Sequence, residues 1–350
     1  MKGMSLHKRR KAAKRIAAVL AGGMCCGLLA GCGSGSGERE LVVYTAVDQI
    51  YSEPIFEDFE EQTGIRVQAV YDLEANKTTG LTNRLIAEKE NPVCDVFWNN
   101  EFVQTMVLQD EGLLEAYVSP QAEDIPDEFK DSDGYWTAFG GRARVLLVNT
   151  ELLSPEEYPS SIYDLLSDRY PGDSIAIAYP MFGTTRTQMA AIYAAVGAEE
   201  GRYIMQSLHD KGVQVVDGNS VTRDMAAVGQ VAMGYTDTDD AKGAIADGNP
   251  VEMVFLDQGE DEMGNLITPN TVAMINGAPH SEEAKEFIDY LLDPAMEERL
   301  IEDGFFDVSL REEGAAGGLD VKGMSVNLRE IYEQLETASE DIQEIFGDAS

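Results

Sequence analysis

Cysteine and histidine are scarce in this chain, and positive charge is in short supply. Four of the 350 residues are Cys and three are His, while 26 Lys and Arg stand against 63 Asp and Glu. Cys25, Cys26 and Cys32 fall in or at the end of an N-terminal apolar run, which leaves Cys94 alone downstream. No intrachain disulfide and no thiolate metal cluster can be assembled from that. His209 and His280 are the only histidines beyond the same run. A zinc site or a His-based triad needs His beside other ligands or a nucleophile, so both are disfavoured. The formal net charge of −37 disfavours nucleic acid and anionic membrane surfaces as partners. Nucleophile-elbow, P-loop and metal-ligand spacings are missing, as is any repeat of fixed period.

What is present begins with a basic, then apolar, N-terminus. "KGMSLHKRRKAAKR" holds seven Lys/Arg and no acid, and "IAAVLAGGMCCGLLAGC" follows it, the order of a secretory signal. The boundary "LLAGC" resembles the lipobox of bacterial lipoproteins, which implies that Cys32 is the acylated first residue after cleavage. "GSGSGERE" then reads as a tether. The expected organisation is a signal peptide over 1–31, a lipid-anchored tether over 32–39, and a body outside the cell membrane, joined to the membrane by its lipid alone.

The remainder alternates strand and helix patterns. "ELVVYTAV", "IRVQAVYD", "CDVFWNN" and "RARVLLVNTELL" read as strands, separated by helical patterns such as "SEPIFEDFEEQTG", "GLTNRLIAEKENP" and "EFVQTMVLQDEG". A second series follows: strands "SIAIAYP", "VQVVDG" and "VAMGYT", with helices "TTRTQMAAIYAAVG", "GRYIMQSLHDKG" and "SVTRDMAAVGQ" between them. Then come strands "VEMVFLDQ" and "NTVAMING", one long helix "SEEAKEFIDYLLDPAMEERLIEDG", a Gly-rich surface loop "EEGAAGGLDVKG" and a terminal helix "NLREIYEQLETASEDIQEIFGDA". The fold class expected is α/β, two lobes with mixed, mainly parallel sheets.

Several of these segments, in this order, carry a resemblance: "LVVYTAV", "FEEQTGIRV", "CDVFWNNE", "GRARVLLVNT" and "PHSEEAKEFIDYLLDPAMEERL". Across about residues 40–310 the chain resembles the periplasmic-type (type II) solute-binding proteins of ABC importers, in the group that includes ferric-iron-binding proteins. The resemblance implies lobe one over 40–140, lobe two over 141–265, a return to lobe one over 266–310, and a C-terminal loop and helix over 311–350. Hinge strands would cross near Gly140 to Arg144 and again between about Asp247 and Thr268. It also implies a monomer that closes on a small solute and passes it to a membrane permease, with no cofactor and no catalysis.

In open α/β sheets a ligand lies beyond the carboxyl ends of the strands. Thr45, Asn100 and Glu101, Thr184 and Thr185, Asn219 and Ser220, and Asp237 each follow a strand. "FGTTRTQ" opens a helix whose free N–H groups and hydroxyls suit a phosphate, phosphonate or carboxylate, unless Thr184 is an ordinary N-cap. Arg142 and Arg144, two apart on a strand, share a face and suit bidentate oxyanion contact, unless they serve a hinge salt bridge. "TDTDDA" puts Asp237, Asp239 and Asp240 in a first helical turn, where the dipole favours acids in any case. An EF-hand fails, because Lys242 stands where Gly is needed.

Ferric-binding relatives use a carboxylate after the "DVF" strand and a consecutive tyrosine pair after the strand matching "VAMGY", hard oxygens for a hard cation. This chain has Tyr235 alone, with Asp237 and Thr238 at the pair's positions and Asn100 or Glu101 at the carboxylate's. The favoured ligand is therefore a small phosphate-bearing zwitterion such as an amino-phosphonate. Arg142, Arg144 and Thr184 would meet its acidic end, and Glu101 or Asp237 its amine. Ferric ion with a synergistic anion, held by Glu101, Tyr235 and Asp237, is the alternative. An enzyme using Glu101 and Asp237 as paired carboxylates, or a sensor lipoprotein, ranks behind both.

Overall fold

A computed structural model describes residues 39–71, 79–311 and 318–347. The expected signal, the Cys32 anchor and the tether to Glu38 lie outside the described residues. Two sheets share one long strand. In the first, β1 (Glu40–Thr45) is flanked in parallel by β2 (Arg66–Tyr71) and β3 (Val96–Asn99). The strand β5 (Thr137–Asn149) pairs through its first half with β10 (Ile267–Ile275), which in turn pairs antiparallel with β3 and with the short β4 (Leu114–Glu115). Its second half pairs antiparallel with β8 (Met233–Asp237) and β9 (Val251–Val254), while β6 (Ile175–Ala178) lies parallel to β8 and to β7 (Gln214–Val216). The buried runs "LVVYT" and "VLLVN" explain these placements, since strands covered on both faces lack polar alternation.

The helices needed for the site are α1 (Gln49–Thr63), α2 (Thr79–Ala87), α3 (Val103–Asp110), α4 (Ile162–Leu166), α5 (Gly183–Val196), α6 (Ala198–Lys211), α7 (Asn219–Ala227) and α8 (Thr238–Ala246). The single helix expected over residues 281–304 is two, α9 (Ser281–Leu291) and α10 (Pro294–Glu302). Pro294 has no N–H to continue the ladder, and the Asp293 carboxylate instead accepts from the Ala295 N–H as a new cap. The terminal helix α11 (Leu328–Phe346) carries a buried stripe of Leu328, Ile331, Leu335, Ala338, Ile342 and Ile345 at helical spacing. Residues 318–323 of the Gly-rich segment before it are pinned down, with the Lys322 ammonium donating to the carbonyls of Gly259, Glu260 and Glu262.

Where β5 passes from the first sheet to the second beside the start of β10, two glycines set the spacing. Gly140 has φ +41, and a Cβ there would sit 2.1 Å from the Phe306 ring. A Cβ on Gly141 would come within 2.6 Å of the Thr268 carbonyl oxygen, next to the register shift at Pro269/Asn270. Close approach at this crossing therefore rests on the missing side chains. Gly140→Ala should lower unfolding stability in urea by about 2–4 kcal/mol, from strain plus displacement of a packed ring. An unchanged midpoint would show that the crossing relaxes freely.

Candidate functional site

Arg144 sits on β5 with 0% exposure. A guanidinium withdrawn from water is tolerated only if its donors are answered. Its Nε donates to Gln188 at 2.9 Å, Nη1 to Asp237 at 2.8 Å and Thr184 at 3.2 Å, and Nη2 to Thr185 and the Tyr235 carbonyl at 3.4 Å each. The Tyr235 ring lies 5.2 Å from its carbon centre, in cation–π range. Asp237 is equally occupied, its second oxygen accepting from the Thr184 hydroxyl at 2.7 Å and the Asn219 amide at 2.8 Å. Asn219 also donates to Thr184 and accepts from Thr185. Residues from the ends of β6, β7 and β8 thus meet as one closed polar network. Burial pushes the Asp237 carboxyl up, but Arg144 and Arg142 more than offset this and hold it below the usual range.

The other two aspartates are also answered by arginine. Asp239 accepts from Arg142 at 3.0 Å, and Asp240 from Arg223 at 3.1 Å and the Thr236 hydroxyl at 2.9 Å. The carboxylate oxygens of Asp237, Asp239 and Asp240 come within 4.8 Å of one another, a spacing that could hold a cation. Arg144 and Arg142 each answer one of these charges, while Arg223 is shared between Asp240 and Asp224. Thr238 is engaged as well, its hydroxyl accepting from the Ala143 N–H and donating to Asp307.

A cleft of about 390 Å³ lies above this network. Lobe one lines it with Thr79, Asn100, Glu101, Val103 and Gln104, and lobe two with Phe182, Gly183, Thr184, Arg186 and Thr187. Arg142 and Thr268, cross-strand partners on β5 and β10, form its floor, and Leu335 of α11 a wall. Glu101 caps α3, taking the N–H groups of Val103 at 2.6 Å and Gln104 at 3.0 Å and the Asn99 amide at 3.0 Å. Burial nonetheless raises its carboxyl above the ordinary value. By contrast α5 receives no side-chain cap from Phe182, and its first turn holds no acid. The Thr268 hydroxyl, 3% exposed, has no hydrogen-bond partner. This unpaired hydroxyl, the uncapped start of α5 and two arginines therefore all line the same cleft.

The remaining expected residues lie elsewhere. Thr45 is buried and its hydroxyl accepts from the Val47 N–H, while Ser220 is exposed; neither lines the cleft. Thr185 and Asn219 sit in the network beneath. Burial pushes the Tyr235 phenol up to about 12. The charges assigned to opposite ends of one zwitterion, Arg144 and Asp237, are bonded to each other, and Glu101 is taken by a helix start. Sequence reasoning passed over Arg186, Thr187, Gln104, Thr268 and Leu335. Arg186 could have been found, because it stands in the first turn of the helix opened by "FGTTRTQ"; nothing in the terminal helix pattern marks Leu335.

Two lobes joined through β5, with a cleft at the strand ends, define a binding protein of the type II solute-binding fold. The chain belongs to the bacterial extracellular solute-binding protein family, whose model matches residues 55–313. It is 28% identical to a probable ABC transporter periplasmic-binding protein of Sinorhizobium fredii, over 60% of this chain and 59% of that one. It is 23% identical to iron uptake protein A1 of Synechocystis, over 74% and 73%. Among solved structures, ferric iron-binding protein A of Mannheimia haemolytica superposes with a TM-score of 0.77 at 20% identity, over 89% and 99% of the two chains. The periplasmic binding protein AfuA of Actinobacillus pleuropneumoniae, with fructose-6-phosphate bound, gives 0.67 at 21%, over 88% and 98%. Family and fold are those of solute carriers for ABC import, and among the described residues no helix is long and apolar enough to cross a membrane.

Removing Asp237 would strand a buried guanidinium. Asp237→Ala should cost about 3–5 kcal/mol, and Arg144→Met combined with it should cost less than the two single changes summed. Because the folded pKa of Asp237 is depressed, its contribution is present above about pH 4 and fades as pH falls through the folded value. Additive costs in a double-mutant cycle would contradict this.

Proposed function

We propose that this protein captures a small solute bearing a phosphate or phosphonate group and delivers it to an ABC permease. The observation that carries the reading is the unpaired Thr268 hydroxyl in a cleft also lined by Arg142, Arg186 and the uncapped start of α5. An oxyanion would accept from all four. The expected amine contact to Glu101 or Asp237 has weaker support, since the oxygens of both already accept from the protein. Attachment outside the cell membrane through a lipid on Cys32 is part of the same reading, supported by the "LLAGC" motif. On this reading the cleft binds and returns its cargo unchanged.

Iron(III) is the second reading, and the comparisons back it better than they back a phosphate or phosphonate. It is favoured by the iron-named relatives and by the spacing of the three aspartate oxygens. Against it stand the three Arg–Asp pairs and the high Tyr235 pKa, since a hard trivalent ion needs free carboxylate or phenolate oxygens.

Thermal unfolding of ligand-stripped protein with inorganic phosphate, a hexose phosphate, aminoethylphosphonate or ferric citrate separates the two readings. The proposal expects a raised midpoint with at least one phosphate or phosphonate compound, lost in Arg142→Met with Arg186→Met. A shift with ferric citrate alone, carrying a visible charge-transfer band that Tyr235→Phe abolishes, would replace it with the iron reading.

A further inference from the structure

The family match ends at residue 313, yet α11, beyond it, touches both lobes and the cleft. Its C-terminal half is fixed to lobe two. Ser339 accepts from the Arg186 Nε at 2.9 Å, and Asp341 accepts from the Tyr193 hydroxyl at 3.0 Å and from Arg202. Its apolar stripe packs with Met189, Ile192 and Met205 of α5 and α6 in the same core. Its N-terminal half reaches lobe one. Arg329 lies 2.7 Å from the Asp110 carboxylate at the end of α3, and burial together with the negative charge of Asp110 pushes the Tyr332 phenol up. Between these two attachments Leu335 faces the cleft.

We propose that α11 is a latch between the lobes, fixed to lobe two through Ser339 and Asp341 and released from lobe one at Asp110 when the cleft opens. The two attachments differ in a way that suits this. The lobe-two end combines the apolar stripe with several polar bonds. The lobe-one end packs less extensively, against α3, and its polar contact is a partly exposed ion pair, with Arg329 and Asp110 side chains 36% and 42% exposed. A contact of that kind is weak enough to break in a hinge motion and strong enough to bias it. Separating the lobes at the strands β5 and β10 would draw Asp110 away from Arg329. Arg186, held by Ser339, links the same helix to the cleft lining, so latch position and cargo contact are coupled whatever the cargo is.

The test needs no cargo. Spin labels at Glu90→Cys in lobe one and Glu199→Cys in lobe two, both exposed positions, report the interlobe distance by double electron–electron resonance; Cys94 is buried. Asp110→Ala removes the carboxylate that pairs with Arg329 and acts on the Tyr332 phenol. It should raise the fraction of longer distances by about two- to fivefold, the range for a partly exposed ion pair. The exchange Asp110→Arg with Arg329→Asp should restore the original distribution, which a general loss of folding would not. Identical distributions in Asp110→Ala and the parent would overturn the latch, and would leave the reading of the cargo untouched.

Discussion

Arg144 carries a full charge into a place that water does not reach, and much of lobe two is arranged around that fact. Withdrawing a guanidinium from solvent costs several kcal/mol unless each donor finds an acceptor. Here Gln188, Thr184, Asp237, Thr185 and the Tyr235 carbonyl supply them. They come from β8 and α5, and Asn219 at the start of α7 completes the set through Asp237. Those elements are therefore pinned at one angle to β5, which is also the strand that crosses to lobe one. A buried pair of this kind is weak evidence for net stability. Its effect is to fix register: Arg144 faces Asp237 directly across the β5–β8 ladder.

The same economy decides what the cleft above can do. Since Asp237 and Arg144 satisfy each other, neither is free to grip a ligand without leaving the other uncompensated. The free capacity lies one layer up, in Arg142, Arg186, the first amides of α5 and the Thr268 hydroxyl. Arg142 is shared with the exposed Asp239, a contact that solvent screens and a ligand can displace at modest cost. On the proposed reading this is a binding surface carried on the Arg144–Asp237 network, an arrangement that suits two lobes closing on a small solute.

Much of the fold could be read in the sequence, because buried strands such as "VLLVN" and amphipathic helices announce themselves through local periodicity. The break at Pro294 was equally local and was passed over inside a strong helical pattern. The site was harder, for a physical reason. The three clustered aspartates were visible, but their partners Arg142, Arg144 and Arg223 lie 97, 93 and 17 residues away in sequence. Which acid meets which base is set by strand register and helix packing, and no spacing rule encodes it. Thr268 illustrates the same limit from the other side. As one threonine at the head of a strand it has no distinguishing neighbour, and only the closed accounting of buried donors singles it out.

The most direct measurement is a crystal structure of the protein with a bound phosphate- or phosphonate-bearing solute. The account predicts cargo oxygens within hydrogen-bond reach of the Thr268 hydroxyl, Arg142, Arg186 and the N–H groups of Gly183 and Thr184, with the Arg144–Asp237 contact still at about its present 2.8 Å. A structure in which Asp237 has left Arg144 to ligate a metal, or in which Arg144 itself has turned to the cargo, would contradict it.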